Sequence, residues 1–160
     1  MNKTRIGIGY DIHKLVIRRN LILGGIHIPF HLGLLGNSDG DCLTHSIIDA
    51  LLGASNEGDI GKFFGIDKPE TKDISSLTLL QKVWHVLKKD YKIVNIDTII
   101  IAEKPRLSQY ITDMKKNIAK VLGIKEEQVS IKTTTSKGIG SIGKSQAMAS
   151  QVIVNLEKKE

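Results

Sequence analysis

The chain has 160 residues and a formal net charge of +6, with 41% hydrophobic and 25% charged residues. That length suits one compact domain with a sizeable core, and that balance excludes a disordered chain. No apolar run reaches membrane-spanning length, and aromatics at 4% are too few for a base-stacking surface, so neither membrane nor nucleic acid is expected as a partner.

In chain order, Thr4 to Gly9 reads as a buried strand. Leu21 to Phe30 reads as a second strand or a hairpin, broken at Gly24-Gly25 and ended near Pro29. Ser38, Asp39 and Asp41 are N-cap candidates for a helix over Leu43 to Ala54. Gly58 to Phe64 follows as a loop. A second helix starts after Asp73 or Ser75, because Leu77, Leu80, Val83, Trp84 and Leu87 recur at helical spacing. Lys92 to Glu103 is a strand, rich in β-branched residues at Ile99, Ile100 and Ile101. A third helix covers about Ser108 to Leu122, with Ile111, Met114, Ile118, Val121 and Leu122 inward and Gly123 as its C-terminal cap. Val129 to Thr135 is a strand, Gly138, Gly140 and Gly143 mark a loop, and Ala147 to Leu156 is a last strand. Alternating strands and helices without linker or repeat predict a single α/β (α+β) domain over 1–160, with both long helices on one sheet face.

Two segments carry chemistry. Asp11 and His13 lie two apart in an extended stretch and so point to one side. His45 closes the acidic, glycine-broken run Asn37-Ser38-Asp39-Gly40-Asp41-Cys42-Leu43-Thr44-His45. One carboxylate and two imidazoles suit zinc or another divalent transition metal, and three protein ligands leave a fourth position open. The plainer alternative is a surface Asp and His beside a polar helix residue. Cys42, three residues before His45, is a fourth ligand or a small buried hydrophobe; the second is preferred, since a Cys-x-x-His pair usually comes with further cysteines. Asp49, four residues beyond His45, either orients an imidazole or faces solvent or a partner subunit.

Lys132-Thr133-Thr134-Thr135-Ser136-Lys137-Gly138 offers hydroxyls, N–H groups and cations suited to phosphate oxygens, or is simply a Thr-rich strand and turn. It is not read as a Walker A loop. Gly7-Ile8-Gly9 fails as a dinucleotide fingerprint, with Ile12 in place of the third glycine. The dispersed lysines read as solvated surface, with a phosphorylated ligand as the next reading. A lone cysteine and a start without an apolar signal core predict a cytoplasmic protein.

Ile6-Gly7-Ile8-Gly9-Tyr10-Asp11-Ile12-His13, Gly33-Leu34-Leu35-Gly36-Asn37-Ser38-Asp39-Gly40-Asp41, Thr44-His45, Asp49-Ala50-Leu51-Leu52-Gly53-Ala54, Gly58-Asp59-Ile60-Gly61 and Lys132-Thr133-Thr134-Thr135 together resemble one family. It is the 2-C-methyl-D-erythritol 2,4-cyclodiphosphate synthases of the non-mevalonate isoprenoid pathway. The resemblance runs in order over nearly the whole chain. It implies a homotrimer of ferredoxin-like subunits with active sites at the subunit interfaces. It also implies a cytidine diphosphate-linked methylerythritol 2-phosphate substrate, cyclised with release of CMP. By the same resemblance Asp11, His13 and His45 hold zinc, and magnesium or manganese accompanies the diphosphate. Asn37 and Thr134 then stabilise the transition state, with Ser38 at the reacting phosphate. Asp59, Ile60, Gly61, Phe64 and Asp67 lie by the sugar hydroxyls. Ala102, Glu103, Lys104, Pro105, Arg106 and Leu107 surround the cytosine, and Thr133, Thr135, Ser136 and Lys144 complete the substrate contacts.

Four positions depart from the family pattern. Asn37 stands where many members carry His, and Ser136 where many carry a Glu that ligates the second metal. Ile66 replaces the first Asp of a Phe-Pro-Asp-Thr-Asp-Pro stretch, and Lys144 replaces an Arg, losing its bidentate fork. Two other functions compete with cyclisation. One is a zinc phosphohydrolase with Asp49 or Asp41 as base for water. The other is a binding protein that retains zinc and CMP without turnover.

Overall fold

The computed structural model describes residues 3–65 and 68–160. The chain runs β1 (Thr4–Val16), β2 (Leu21–Leu23), β3 (Ile26–Ile28), β4 (Gly33–Leu34), α1 (Cys42–Ser55), α2 (Ile60–Phe64) and α3 (Ser76–Leu87). It continues through β5 (Tyr91–Ile101), α4 (Ile111–Leu122), β6 (Val129–Thr134), α5 (Gly140–Gly143) and β7 (Ala147–Lys158). Five strands form one sheet in the order β4-β1-β7-β5-β6, and β2 and β3 form a separate hairpin. β7 is antiparallel to both β1 and β5, whereas β5 and β6 are parallel, so α4 serves as their crossover.

The sheet is therefore mixed. The long elements β1, α1, α3, β5, α4, β6 and β7 follow the order β-α-α-β-α-β-β, which differs from the split β-α-β-β-α-β order of a ferredoxin-like chain. The reason lies in α4, which returns the chain to the starting end of β5 before β6 begins. Two expected loops also carry short helical turns. Residues 58–64 contain α2, capped by the Asp59 side chain on the Lys62 N–H at 2.8 Å, and the glycine loop contains α5. Elements this short have no periodicity to read.

One sheet face is packed and the other is open. Val152, Val154 and Leu156 of β7 are fully buried against the helices, while Ile153 between them is 48% exposed. β1 has the same alternation with a twist in its chemistry. Gly7 and Gly9 face α1, where an added Cβ would overlap the carbonyls of Ala50 and Ser46. Ile6 and Ile8 face outward at 69% and 62% exposure, so the expected buried strand is buried on its glycine side only. Two glycines thus let α1 lie almost on the β1 backbone, which is the role of Gly7-x-Gly9.

Helix α1 is buried on nearly every side, between the sheet and α3. Of its three N-cap candidates Asp41 takes the position. It accepts the Thr44 N–H at 3.0 Å and the Thr44 hydroxyl at 2.7 Å. It also accepts the N–H groups of Gly24 and Gly25, at 3.0 and 2.8 Å, which ties the β2–β3 hairpin to the helix start. Burial pushes the Asp41 carboxyl up and the charge of Asp39 adds to this, against the four donated bonds. Helix α3 buries Leu80, Val83, Trp84 and Leu87 as its spacing predicts, and Gly123 closes α4 in a left-handed conformation. No helix among the described residues is long and apolar enough to cross a membrane.

Candidate metal centre

Asp11 and His13 leave β1 on the side of Gly7 and Gly9, toward α1. There they meet His45, one turn into that helix. Three atoms converge: Asp11 Oδ2 lies 2.8 Å from His13 Nε2 and 3.0 Å from His45 Nδ1, and the two ring nitrogens are 3.2 Å apart. Ligands about 2.0–2.1 Å from one tetrahedral zinc ion lie roughly 3.3 Å from each other. The triangle therefore needs only slight opening to admit the ion. This is the one group of three or more His, Cys, Asp and Glu residues among the described residues arranged to hold a metal.

Hydrogen bonds from outside set the side of each imidazole that faces inward. His13 Nδ1 lies 2.5 Å from the Leu35 carbonyl, to which it donates, so its Nε2 lone pair points at Asp11. His45 Nε2 is met by the hydroxyls of Ser38 at 2.9 Å and Ser76 at 2.8 Å, which leaves Nδ1 to face Asp11. Burial alone would raise the Asp11 carboxyl, but the imidazoles of His13 and His45 against it outweigh this and hold the group well below the usual carboxylate range. Burial alone would lower His13, yet its bond to Asp11 lifts it above its ordinary 6.5. A carboxylate and two lone pairs aimed at one point call for a positive charge, and in a metal-free protein a proton on His13 supplies it.

The triad opens into a cavity of about 250 Å³. Asn37, Ser38, Asp49, Ile60, Gly61 and Phe64 line it, so six of the residues singled out in the sequence come together with the triad. The Asn37 amide donates to the Thr71 hydroxyl at 2.9 Å, which fixes its plane and leaves a second N–H. Asp49 accepts the Ile60 N–H at 2.8 Å, so its hydrogen bond braces α2 while the two serines meet His45. Asp59 caps α2 and does not line the cavity. Asp67 and Ile66 lie outside the described residues. Cys42 is fully buried on α1, where burial pushes its thiol well up, and it has no place in the triad.

The remaining expected site residues form a second cluster, apart from the first. Ala102 N–H donates to the Thr134 carbonyl at 3.0 Å, and Ser136 N–H to the Glu103 carboxylate at 2.6 Å. These bonds join the segment of Ala102, Glu103, Lys104, Pro105, Arg106 and Leu107 to the segment of Thr133, Thr134, Thr135 and Ser136, with Lys144 just beyond α5. Asp11 pairs with Ser150, Ser150 with Ile100, and Ile100 with Thr133. The clusters thus share one row across the sheet, three strand spacings apart, roughly 14 Å at about 4.8 Å each. Sequence reasoning missed Ser76, Thr71, Leu79 and the Leu35 carbonyl. Ser76 reads only as a second serine at a helix start.

Residues 4–157 match the YgbB family. The 2-C-methyl-D-erythritol 2,4-cyclodiphosphate synthase of Clostridium novyi (strain NT) is 53% identical over 156 residues, which cover 97% of this chain and 99% of that protein. Its counterpart in Alkaliphilus metalliredigens (strain QYMF) is 53% identical over 153 residues, or 95% of this chain and 96% of that one. Among solved structures, Plasmodium falciparum IspF in complex with CDP superposes at a TM-score of 0.87 with 37% identity, covering 100% of this chain and 99% of that one. The bifunctional IspDF of Campylobacter jejuni gives 0.95 with 34% identity, covering 100% of this chain and 44% of that longer one.

Proposed function

The chain belongs to the YgbB family, the 2-C-methyl-D-erythritol 2,4-cyclodiphosphate synthases, and from that membership we infer how its residues divide the work. It is a lyase that forms the cyclic diphosphate in the non-mevalonate isoprenoid pathway. We propose that the substrate is cytidine diphosphate-linked methylerythritol 2-phosphate. Its 2-phosphate oxygen attacks the β-phosphorus, that phosphorus–oxygen bond forms, the bond to the α-phosphate breaks, and CMP leaves. The observation that carries this reading is the convergence of Asp11 Oδ2, His13 Nε2 and His45 Nδ1 at the mouth of the cavity holding Asn37 and Ser38.

Asp11, His13 and His45 are the residues that would hold zinc, and zinc would supply Lewis-acid polarisation of a diphosphate oxygen. Phosphoryl transfer needs positioning and charge neutralisation more than covalent chemistry from the protein. Asn37, with its spare N–H, and Ser38, with its hydroxyl, both lining the cavity, donate to the reacting phosphate in this reading. Ile60, Gly61 and Phe64, with Asp59 and Asp67, take the erythritol side. Thr134 donates to the transition state from the other cluster. Thr133, Thr135, Ser136 and Lys144 hold phosphate oxygens, and the backbone of Ala102 to Leu107 reads the cytosine edge. A magnesium or manganese ion accompanying the diphosphate would neutralise phosphate charge, and Ser136, whose hydroxyl donates to the Ile139 carbonyl, would offer it only a neutral oxygen.

The two clusters meet when subunits assemble. A homotrimer whose active sites lie between neighbours brings the triad of one subunit to the Thr134 loop of the next. The open sheet face with Ile6, Ile8 and Ile153 supplies an apolar surface for that assembly. We place the enzyme in the cytoplasm. Turnover of the cytidine diphosphate substrate by pure zinc-loaded protein, followed by phosphorus NMR, tests the reading. Cyclic diphosphate and CMP are expected. An open-chain product would make it a phosphohydrolase, and CMP binding without product would make it a binding protein.

A further inference from the structure

Ser76 is fully buried at the first position of α3, 31 residues from His45 in sequence. Its hydroxyl makes two contacts: a short hydrogen bond to Asp39 Oδ1, and a 2.8 Å contact to His45 Nε2. Asp39 is an acceptor here for three donors, since Oδ2 also takes the Ser76 N–H at 2.9 Å and Oδ1 the Asp41 N–H at 3.1 Å. A serine hydroxyl has one proton. With that proton on the carboxylate, Ser76 Oγ presents a lone pair to His45.

The consequence for His45 is a choice between tautomers. A bare Nε2 would set lone pair against lone pair at 2.8 Å; an Nε2–H donates to Ser76 and is satisfied. We propose that Ser76 is a positioning residue of the metal centre, its hydroxyl oriented by Asp39 so that His45 keeps its proton on Nε2 and turns the Nδ1 lone pair toward the ion. Ser38 Oγ, 2.9 Å from the same nitrogen, then need not donate to it, and its proton stays available to the cavity that it lines. Asp39 thereby serves two elements, starting α3 through the Ser76 backbone and aiming His45 through the Ser76 side chain.

The inference rests on the reading of Asp11, His13 and His45 as zinc ligands. The test is Ser76→Ala, with zinc affinity measured by chelator competition and the visible spectrum recorded on the cobalt(II)-loaded protein. Outer partners of a ligating imidazole typically alter metal affinity by roughly 10- to 100-fold. A loss in that range with an altered cobalt spectrum is expected, together with recovery in Ser76→Thr. Melting of the metal-free variant should stay close to the parent, because Asp39 Oδ2 still accepts the backbone N–H at position 76. Zinc affinity within about twofold of the parent and an unchanged cobalt spectrum would overturn the proposal. Should Ser76→Ala not fold, imidazole NMR on the zinc-loaded parent decides, with a proton on His45 Nε2 supporting the assignment and a proton on Nδ1 overturning it. A parent that binds no zinc would instead refute the ligand triad itself.

Discussion

Asp11 and His13 give the centre opposite pH responses with and without metal. His13 is raised above its ordinary 6.5, so its contribution to the stability of the metal-free protein is full below 6.5 and is lost as pH rises through the raised value. Asp11 is lowered from 3.8, so its contribution is present above 3.8 and is lost as pH falls toward its depressed value. The ion pair should therefore stabilise the chelator-treated protein most between 3.8 and 6.5, and His13→Ala should flatten that profile in denaturant midpoints against pH. Zinc needs His13 unprotonated, so zinc affinity should instead weaken as pH falls through the raised His13 value. The triad itself was legible in the sequence, because a two-residue spacing in a strand puts Asp11 and His13 on one face and an acidic cap announces the helix carrying His45. Ser76 was not legible. Its contact with His45 joins two helices, and a serine at a helix start already has an ordinary explanation.

At the scale of elements, β1 shows where reading by hydrophobicity inverts. Ile6, Ile8 and Ile12 suggest an inward face, yet the glycines between them are the residues pressed against α1. Periodicity reports alternation but not which side is covered, and only the approach of the helix decides it. Gly9→Ala should push the new methyl into the Ser46 carbonyl and destabilise the fold by roughly 1–3 kcal/mol, read as a lower denaturant midpoint with unchanged slope. The long helices were legible because their apolar residues recur every three or four positions over several turns. α2 and α5 were not, being one turn each. The parallel pairing of β5 with β6 was equally hidden, since strand content does not state strand order.

For the whole molecule, the outward isoleucines are the assembly surface in our reading. Ile8→Glu should place charges on that face and leave the packed face untouched, giving a folded monomer by native mass spectrometry that has lost cyclase activity. The row from Asp11 through Ser150 and Ile100 to Thr133 has a genetic consequence. If each site draws its histidines from one chain and its threonine from the next, two inactive variants can rescue each other. His45→Ala and Thr134→Ala, each silent alone, should regain activity once mixed and reassembled. With random mixing in equal parts, half the sites have intact histidines and half an intact threonine, so about a quarter of parental activity should return. Mixing two variants that both lack the histidine should return none.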